Sequence, residues 1–261
     1  MELIDRIDRY WSKRADEFGD ARYADMQNEK REQWLSLIKS NLPEKERIRA
    51  LDLGCGAGYF SFLLKELGCE VTAIDYSREM LKNAEKNAVR LGISGIAYYQ
   101  MDAQALDFPD ECFDFIFTRN VTWTLPDPAK AYAEMVRVLA PGGRLVNCDA
   151  NYAAAFREMD KTGATERIAK KAEEAYQAAG KPYAFPAQGL AMTRERNDLA
   201  NELYIAFEKR PAWDVDILLR AGIRKVSLIA DINRTLFGNE KQADRAADYG
   251  EFAITAEKLG C

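Results

Sequence analysis

Histidine is absent from all 261 residues of the chain. Its absence removes the side chain that most often acts as a general base near neutral pH, and with it the commonest ligand of transition metals. The five cysteines, Cys55, Cys69, Cys112, Cys148 and Cys261, are scattered and form no C-x-x-C pair, so they suggest neither a disulfide framework nor a zinc site. We expect reduced thiols, no bound metal and chemistry that proceeds without imidazole.

An excess of positive charge and long apolar runs are also missing. The chain has 37 Lys and Arg against 42 Asp and Glu, a net charge of −5, so it lacks the basic surface typical of nucleic-acid-binding proteins. No stretch approaches the roughly 18 apolar residues of a membrane span, and residues 1–9 interleave charges where a secretory signal needs an apolar run. We predict no nucleic-acid partner, no membrane association and a cytoplasmic location, and the composition leaves the oligomeric state open.

The order of hydrophobic patterns predicts a single domain in four parts. Residues 1–45 carry apolar side chains at helical spacing and are expected to form a helical cap. Residues 46–150 alternate short apolar runs with amphipathic helices, which is typical of βαβ units and a parallel sheet. Residues 151–212 are helical, charged and too long for a simple connection, so we expect an inserted lid, with a rigid oligomerisation arm as the alternative. Residues 213–261 return to the core.

Local signals place the elements of this α/β fold. Ser77 is a candidate N-cap, Gly68 and Gly92 are candidate helix ends, and Pro128 lies where a helix begins. The segment Pro141–Gly143 is expected to turn the chain into the fifth strand. Strands are predicted at Ile48–Leu53, Glu70–Ile74, Ala97–Met101, Phe113–Thr118, Arg144–Cys148, Lys225–Ile229 and Phe252–Ala256.

A glycine-rich turn follows the first predicted strand and carries the strongest functional signal. Asp52 precedes Gly54, Gly56 and Gly58 in a G-x-G-x-G pattern that differs from the G-x-G-x-x-G dinucleotide fingerprint. Glycine lets the backbone approach a ligand closely, but this tighter loop offers less of a cradle for a pyrophosphate. The turn therefore suits a ligand with an amino-acid tail.

Polar residues follow the next three predicted strands. Asp75 lies about 20 residues past the glycines, where an acid can accept hydrogen bonds from both ribose hydroxyls. Asp102 would place a carboxylate near the exocyclic amino group of an adenine. Arg119 and Asn120 end the fourth strand, at the edge where ligands of α/β proteins bind.

Together these residues resemble the class I S-adenosylmethionine-dependent methyltransferase family, most closely its small-molecule branch, over about residues 10 to 150. The resemblance implies a doubly wound, mostly parallel seven-stranded sheet of order 3-2-1-4-5-7-6 whose last strand is antiparallel. It also implies S-adenosylmethionine as cofactor, with the glycines at its methionine part, Asp75 at the ribose, and Asp102 with Ala103 at the adenine. The cofactor-binding residues that we predict are Asp52, Gly54, Cys55, Gly56, Gly58, Asp75, Tyr76, Met80, Asp102, Ala103, Arg119 and Asn120.

The acceptor side is less defined by sequence. A sulfonium is already an activated methyl donor, so the protein mainly has to orient a nucleophile and exclude water. We expect Trp11, Trp123 and Tyr152 to contact the substrate, and Asp149 or Tyr10 to take a proton if one must be removed. Cys55 and Cys148 are expected to pack in the core.

The predicted function is methyl transfer to a small-molecule acceptor by direct in-line displacement. A protein acceptor remains an alternative. A nucleic-acid methyltransferase is disfavoured because Arg119-Asn120-Val121-Thr122 has no N-P-P-Y type motif and the chain has no Pro-Cys pair. A non-catalytic adenosylmethionine-binding protein is disfavoured by the intact turn and acids.

Overall fold

The computed structural model of the chain describes residues 2–167, 170, 187–238 and 249–260. The described strands form one sheet of order β3-β2-β1-β4-β5-β7-β6, as the family resemblance implied. Strands β1 to β5 pair in parallel, and β7 runs antiparallel to both β5 and β6. The strands are β1 Arg49–Leu53, β2 Glu70–Asp75, β3 Ile96–Gln100, β4 Phe113–Arg119, β5 Leu139–Asp149, β6 Lys225–Ile229 and β7 Phe252–Glu257.

Helices flank the sheet and extend beyond its C-terminal edge. Short 3-10 helices lie at Thr122–Thr124 and Tyr204–Phe207. None of the described helices is both long enough and apolar enough to cross a membrane. The α-helices are α1 Leu3–Ser12, α2 Ala15–Asp25, α3 Lys30–Asn41, α4 Tyr59–Glu66, α5 Arg78–Leu91, α6 Pro128–Val138, α7 Tyr152–Lys161, α8 Ala187–Glu202, α9 Ala212–Arg220 and α10 Ile232–Phe237.

The predicted helix ends of the core are confirmed. The Ser77 hydroxyl accepts a hydrogen bond from the Met80 amide and caps α5, which ends at Gly92 in the left-handed conformation. Asp127 caps α6, and Pro128 occupies its first turn, where the missing amide donor has no helical partner to lose. These caps fix where α5 and α6 begin, and therefore how the loops before them approach the sheet edge.

Two boundaries differ from the sequence expectations. The helical spacing of Ile4, Ile7, Trp11 and Phe18 predicts one helix, but these residues lie on two, because the chain breaks at Lys13 and Arg14 before α2 begins. Strand β5 starts directly after α6 at Leu139, so Pro141–Gly143 lies inside the strand instead of forming a turn before it. Gly142 adopts a φ of +75° there. Its amide donates to the carbonyl of Lys258, just beyond the end of β7, and the Lys258 amide donates to the carbonyl of Gly143. Gly180, Pro182 and Pro186, which the sequence pattern predicts to interrupt the helices of the insertion, lie outside the described residues.

The core lies on both faces of the sheet, as alternating side chains require. Leu51 and Leu53 of β1 point to the face covered by α6 and α9, where they pack in one cluster with Tyr132 and Met135. Ala50 belongs to the opposite cluster, together with residues of α3 and α4. With both faces covered, the free edge at the strand ends is the natural place for a binding site.

A third apolar cluster lies beyond that edge and joins the N-terminal helices to the insertion. It brings Ile7 and Tyr10 of α1 against Phe156 of α7 and Leu199 of α8, with Trp123 between them. Arg6 also pairs with Glu202 at 2.7 Å, and Lys13 with Glu195 at 2.8 Å. The helices before the sheet and the helices inserted after β5 therefore pack on each other.

Candidate active site

A cavity of about 300 Å³ opens between the C-terminal ends of the strands and this third cluster. The loops after β1, β2, β3 and β4 form one wall, and α1, α2, α7 and α8 supply the opposite side. Parallel strands present these loops at one edge, which explains why residues far apart in sequence share the cavity. Of the predicted site residues, those that line it are Tyr10, Trp11, Gly54, Cys55, Gly56, Asp75, Tyr76, Met80, Asp102, Ala103, Arg119, Asn120, Trp123 and Tyr152.

The three glycines of the turn have different roles. All have positive φ angles, of +71° at Gly54, +53° at Gly56 and +92° at Gly58. A Cβ at Gly54 would lie 2.3 Å from Val121, and one at Gly58 would lie 2.5 Å from Phe62. A Cβ at Gly56 would meet no atom within 4 Å. Gly54 and Gly58 are therefore required by packing, and Gly56 leaves open space on the cavity side. Gly58 itself is not among the residues that line the cavity.

Asp75 is tied to the glycine turn through the backbone. Its Oδ2 accepts a hydrogen bond of 2.8 Å from the Gly56 amide, and its Oδ1 accepts one of 2.9 Å from the Ser77 amide. Burial raises the pKa of this carboxyl to about 6, against the opposing effect of the two amide hydrogen bonds. The acid is thus held at a fixed place on the cavity wall and is ionised near neutral pH.

Asp52, just before the turn, is not among the residues that line the cavity. Its side chain is buried, and Oδ2 accepts a hydrogen bond of 2.5 Å from the Ser61 hydroxyl of α4. Burial raises the pKa of Asp52 to about 7, opposed by the Ser61 hydrogen bonds. The residue therefore connects the end of β1 to α4.

The raised pKa of Asp52 makes the folded chain lose stability as the pH rises. The folded chain keeps the proton up to a pH of about 7, whereas the unfolded chain releases it near the ordinary value of 3.8. This contribution to stability is fully present below the unfolded pKa and is lost as the pH rises through the folded pKa. When the pH is raised from about 4 to about 8, the unfolding free energy of the wild type should therefore fall by about 2–4 kcal/mol more than that of Asp52→Asn, which has no carboxyl group at this position.

Urea unfolding at both pH values measures this difference. Asp107→Asn is the control, because it makes the same substitution at an exposed aspartate. Identical pH dependence in Asp52→Asn and the wild type would show that Asp52 does not titrate in this range.

Asp102 and Ala103 occupy the far side of the same wall. Asp102 Oδ1 accepts hydrogen bonds from the backbone amide and the side-chain amide of Gln104, at 2.8 and 2.9 Å. No donor among the described residues reaches its Oδ2. Tyr76 and Met80, which follow β2, also line the cavity. The hydrogen bonds of Asp102 thus leave its Oδ2 available to accept from an amino group.

Arg119 lies near a second arginine, Arg22, which the sequence reasoning missed. The Arg119 guanidinium stacks 4.8 Å from the centre of the Trp34 ring, and Arg22 lies 6.0 Å from the Tyr59 ring. Arg22 pairs with Asp25 at 3.0 Å, but its Nε is buried without a hydrogen-bond partner. Burial, more than the charge of Arg119, lowers the pKa of Arg22. No motif marks Arg22, because it lies in a helix rich in charged residues.

Aromatic side chains form the opposite side of the cavity. The Trp123 ring centre lies 6.1 Å from that of Trp11, 5.4 Å from Tyr152 and 5.6 Å from Phe156, mostly edge to face. The Tyr10 hydroxyl accepts a hydrogen bond of 3.0 Å from Arg14. The predicted substrate residues therefore share one aromatic wall, which Phe156 extends.

Asp149, the predicted proton acceptor, is buried and has both carboxylate oxygens engaged. It is buried outside the cavity lining, and its Oδ1 accepts from the Ala150 amide at 2.8 Å. Its Oδ2 accepts from the Trp123 amide and the Thr122 hydroxyl, and it lies 3.3 Å from Arg210. Burial raises the pKa of Asp149, and Arg210 opposes that effect. Its contacts instead fix the backbone that carries Trp123.

The two cysteines near the site behave as packing residues, as expected. Both Cys55 and Cys148 are buried. Burial raises the pKa of the Cys148 thiol to about 12 and that of Cys55 well above its usual range. Neither thiol is therefore a thiolate near neutral pH, although Cys55 contributes to the cavity wall.

Comparisons with known proteins agree with this geometry. A family model described as a methyltransferase domain matches residues 51–147. The chain is similar to a phosphatidylethanolamine N-methyltransferase of Cereibacter sphaeroides, with 38% identity over 38% of this chain and 48% of that protein. It is also similar to a demethylmenaquinone methyltransferase of Thermus thermophilus, with 41% identity over 40% of this chain and 47% of that protein. The matched region thus spans about half the length of these curated relatives.

The fold extends the likeness over most of the chain. A phosphoethanolamine N-methyltransferase of Haemonchus contortus, solved in complex with S-adenosylmethionine, superposes with a TM-score of 0.54 at 16% identity, over 87% of this chain and 52% of that one. At this identity the likeness concerns the fold alone. Residues 51–147 thus match a methyltransferase domain, and the sheet order and the glycine turn with its acid are those that the resemblance to class I S-adenosylmethionine-dependent methyltransferases implied.

Proposed function

We propose that the chain transfers the methyl group of S-adenosylmethionine to a small-molecule acceptor. The observation that carries this proposal is that Gly56 and Asp75 line the same cavity as an aromatic wall made by Trp11, Trp123 and Tyr152. The side with Gly56 and Asp75 fits the cofactor, and the aromatic wall fits an apolar acceptor. Both relatives named above act on small molecules or lipids by their names, which supports an acceptor of this kind.

The residues of the wall fit the parts of the cofactor. Asp75 is placed to accept from the ribose hydroxyls, and the open oxygen of Asp102 from the adenine amino group. The space beside Gly56 accommodates the amino-acid part, and Arg22 with Arg119 supplies positive charge for its carboxylate. When bound, the cofactor supplies a sulfonium-activated methyl group.

The protein then has two tasks, to orient the acceptor and to exclude water. The acceptor's nucleophile forms the new bond to carbon while the electron pair of the broken C–S bond stays on sulfur, giving S-adenosylhomocysteine. We propose that α1 and the inserted helices α7 and α8 act as a lid, because they pack on each other over the cavity. Tyr10 is the remaining candidate to take a proton from acceptors that arrive protonated.

An acceptor screen tests the function. Purified chain is incubated with S-adenosylmethionine and separate thiol, amine, phenol and carboxylate acceptors, and release of S-adenosylhomocysteine is measured against a reaction without acceptor. We expect release with at least one apolar acceptor. Binding of S-adenosylmethionine without release from any acceptor class would favour a non-catalytic binding protein.

The glycine turn provides a sharper test of cofactor binding. We expect Gly56→Asn to weaken S-adenosylhomocysteine binding by about a hundredfold or more, because the added side chain occupies the open space while asparagine tolerates the positive φ. Calorimetry measures the affinity. Gly92→Asn is the matched control, since Gly92 has a φ of +68°, equally open surroundings and a position outside the cavity. Equal affinities in the two variants would make the turn purely structural.

A further inference from the structure

Two further arginines line the cavity and stack on its aromatic residues. Arg14 lies where α1 meets α2, and Arg196 lies on α8 of the insertion. The Arg196 guanidinium stacks 3.6 Å from the centre of the Phe156 ring, and Arg14 lies 4.8 Å from that of Phe18. The two charges are close enough that Arg14 contributes to lowering the pKa of Arg196, after the larger effect of burial.

Among the described residues, neither arginine has a buried carboxylate partner. Arg196 donates only to the neutral amide oxygen of Asn197, at 3.0 and 3.3 Å, and pairs with no carboxylate in the described parts of the chain. Arg14 donates to the Tyr10 hydroxyl and lies 3.7 Å from Glu17, which is 74% exposed. Arg14 thus has only an exposed acid as partner, and Arg196 has no carboxylate partner among the described residues, so two partly desolvated cations with this little compensation favour the binding of an anion.

The acids that line the cavity do not supply that anion. Asp8 accepts from the Ser12 hydroxyl, Asp75 from backbone amides and Asp102 from Gln104. None of them forms an ion pair with Arg14 or Arg196 within the described ranges. The positive charge of Arg14 and Arg196 is therefore not compensated by any of the acids that line the cavity.

The cofactor already has a separate pair of cations. Arg22 and Arg119 are close to each other and to Tyr59, the residue that follows the glycine turn. The Phe18 ring lies between the two sets, 5.9 Å from Arg22 and 4.8 Å from Arg14. The amino-acid carboxylate of the cofactor would use Arg22 and Arg119, which leaves Arg14 and Arg196 for a second anion.

We propose that the acceptor carries a carboxylate, bound by Arg14 and Arg196, on an apolar aromatic body that lies against Trp11, Trp123 and Phe156. This inference rests on the proposed function and names its substrate class. A carboxylate that accepts charge-assisted hydrogen bonds from guanidinium groups is a poor nucleophile, so the methyl group goes to another atom of the acceptor. The carboxylate serves as the handle that orients that atom.

Matched acid and amide probes test this proposal. The probes are para-mercaptobenzoate, para-aminobenzoate and para-hydroxybenzoate, each compared with its primary amide. Each is titrated into the chain saturated with S-adenosylhomocysteine, and the dissociation constant is measured by calorimetry. We expect at least one acid to bind about tenfold or more tightly than its amide, the effect of one charged hydrogen bond. Equal or weaker binding of every acid would overturn the proposal.

Three variants identify the residue responsible. Arg196→Met should abolish the preference for the acid and leave the affinity for S-adenosylhomocysteine within about twofold of the wild type, and Arg196→Lys should restore part of the preference. Arg157→Met is the matched control, because Arg157 also stacks on an aromatic ring, that of Phe207 at 4.1 Å, but lies outside the cavity. A preference that survives Arg196→Met, or a loss of S-adenosylhomocysteine affinity in that variant, would contradict the assignment.

The outcome also separates this inference from the proposed function. A wild-type chain that binds S-adenosylhomocysteine and methylates neutral acceptors, but shows no preference for acids, would overturn the carboxylate site alone. A chain that binds no S-adenosylhomocysteine would overturn the proposed function, and with it this inference.

Discussion

Replacement of Asp75 with alanine is expected to weaken S-adenosylhomocysteine binding by about 2–4 kcal/mol, roughly 30- to 1000-fold in the dissociation constant. The ribose hydroxyls lose their charged acceptor, and the Gly56 and Ser77 amides lose the oxygens that hold the turn in place. Calorimetry of the variant and the wild type measures the effect.

Asp107→Ala is the control for this change, since it removes an exposed aspartate outside the cavity. Asp75→Asn separates charge from shape, because the amide keeps one acceptor oxygen and should lose less affinity than the alanine variant. Unchanged affinity in Asp75→Ala, with a normal thermal transition, would rule out the assignment of this acid to the ribose.

Arg210→Met is expected to lower the unfolding free energy by about 3–5 kcal/mol. The guanidinium is almost fully buried, lying 2.7 Å from Asp214 and 3.3 Å from Asp149, and it donates to the Ala150 carbonyl. Its removal leaves two buried carboxyl groups without a counter-charge. Because Asp149 also holds the Trp123 amide, we expect the variant to disturb the aromatic wall as well.

Urea unfolding measures this loss, and Arg220→Met on α9 is the control. Arg220 and Asp216 are also four residues apart and 2.7 Å from each other, but their side chains are 74% and 54% exposed. The control should change stability by no more than about 1 kcal/mol. Addition of Asp149→Asn and Asp214→Asn to Arg210→Met should recover part of the loss, because neutral amides need no counter-charge. Similar losses in Arg210→Met and Arg220→Met would show that the buried charges contribute little.

The parts of the fold that local physics determines could be predicted from sequence. The Ser77 cap of α5 and the position of Pro128 in the first turn of α6 depend on residues within one turn, and they appear where expected. The same logic placed Gly56 and Asp75 at one sheet edge. The start of β5 was missed because the glycines that usually mark a turn are held in the strand by bonds to Lys258, far away in sequence.

Roles that depend on distant partners could not be predicted. Asp149 follows a strand at the sheet edge, like Asp75, and only the return of Arg210 about 60 residues later shows that its charge is used internally. Asp52 was grouped with the cofactor ligands by its motif, but Ser61 occupies its carboxylate. Arg22 and Arg196 lie on charged helices, where no spacing distinguishes a cavity-facing arginine from a solvent-facing one.

A crystal structure of the chain with S-adenosylhomocysteine tests the central claim most directly. The account predicts the ligand in the cavity, with its ribose hydroxyls at Asp75, its adenine beside Asp102 and Ala103, its carboxylate at Arg22 and Arg119, and its sulfur facing the aromatic wall. A ligand bound elsewhere, or a ribose that makes no hydrogen bond to Asp75, would contradict it.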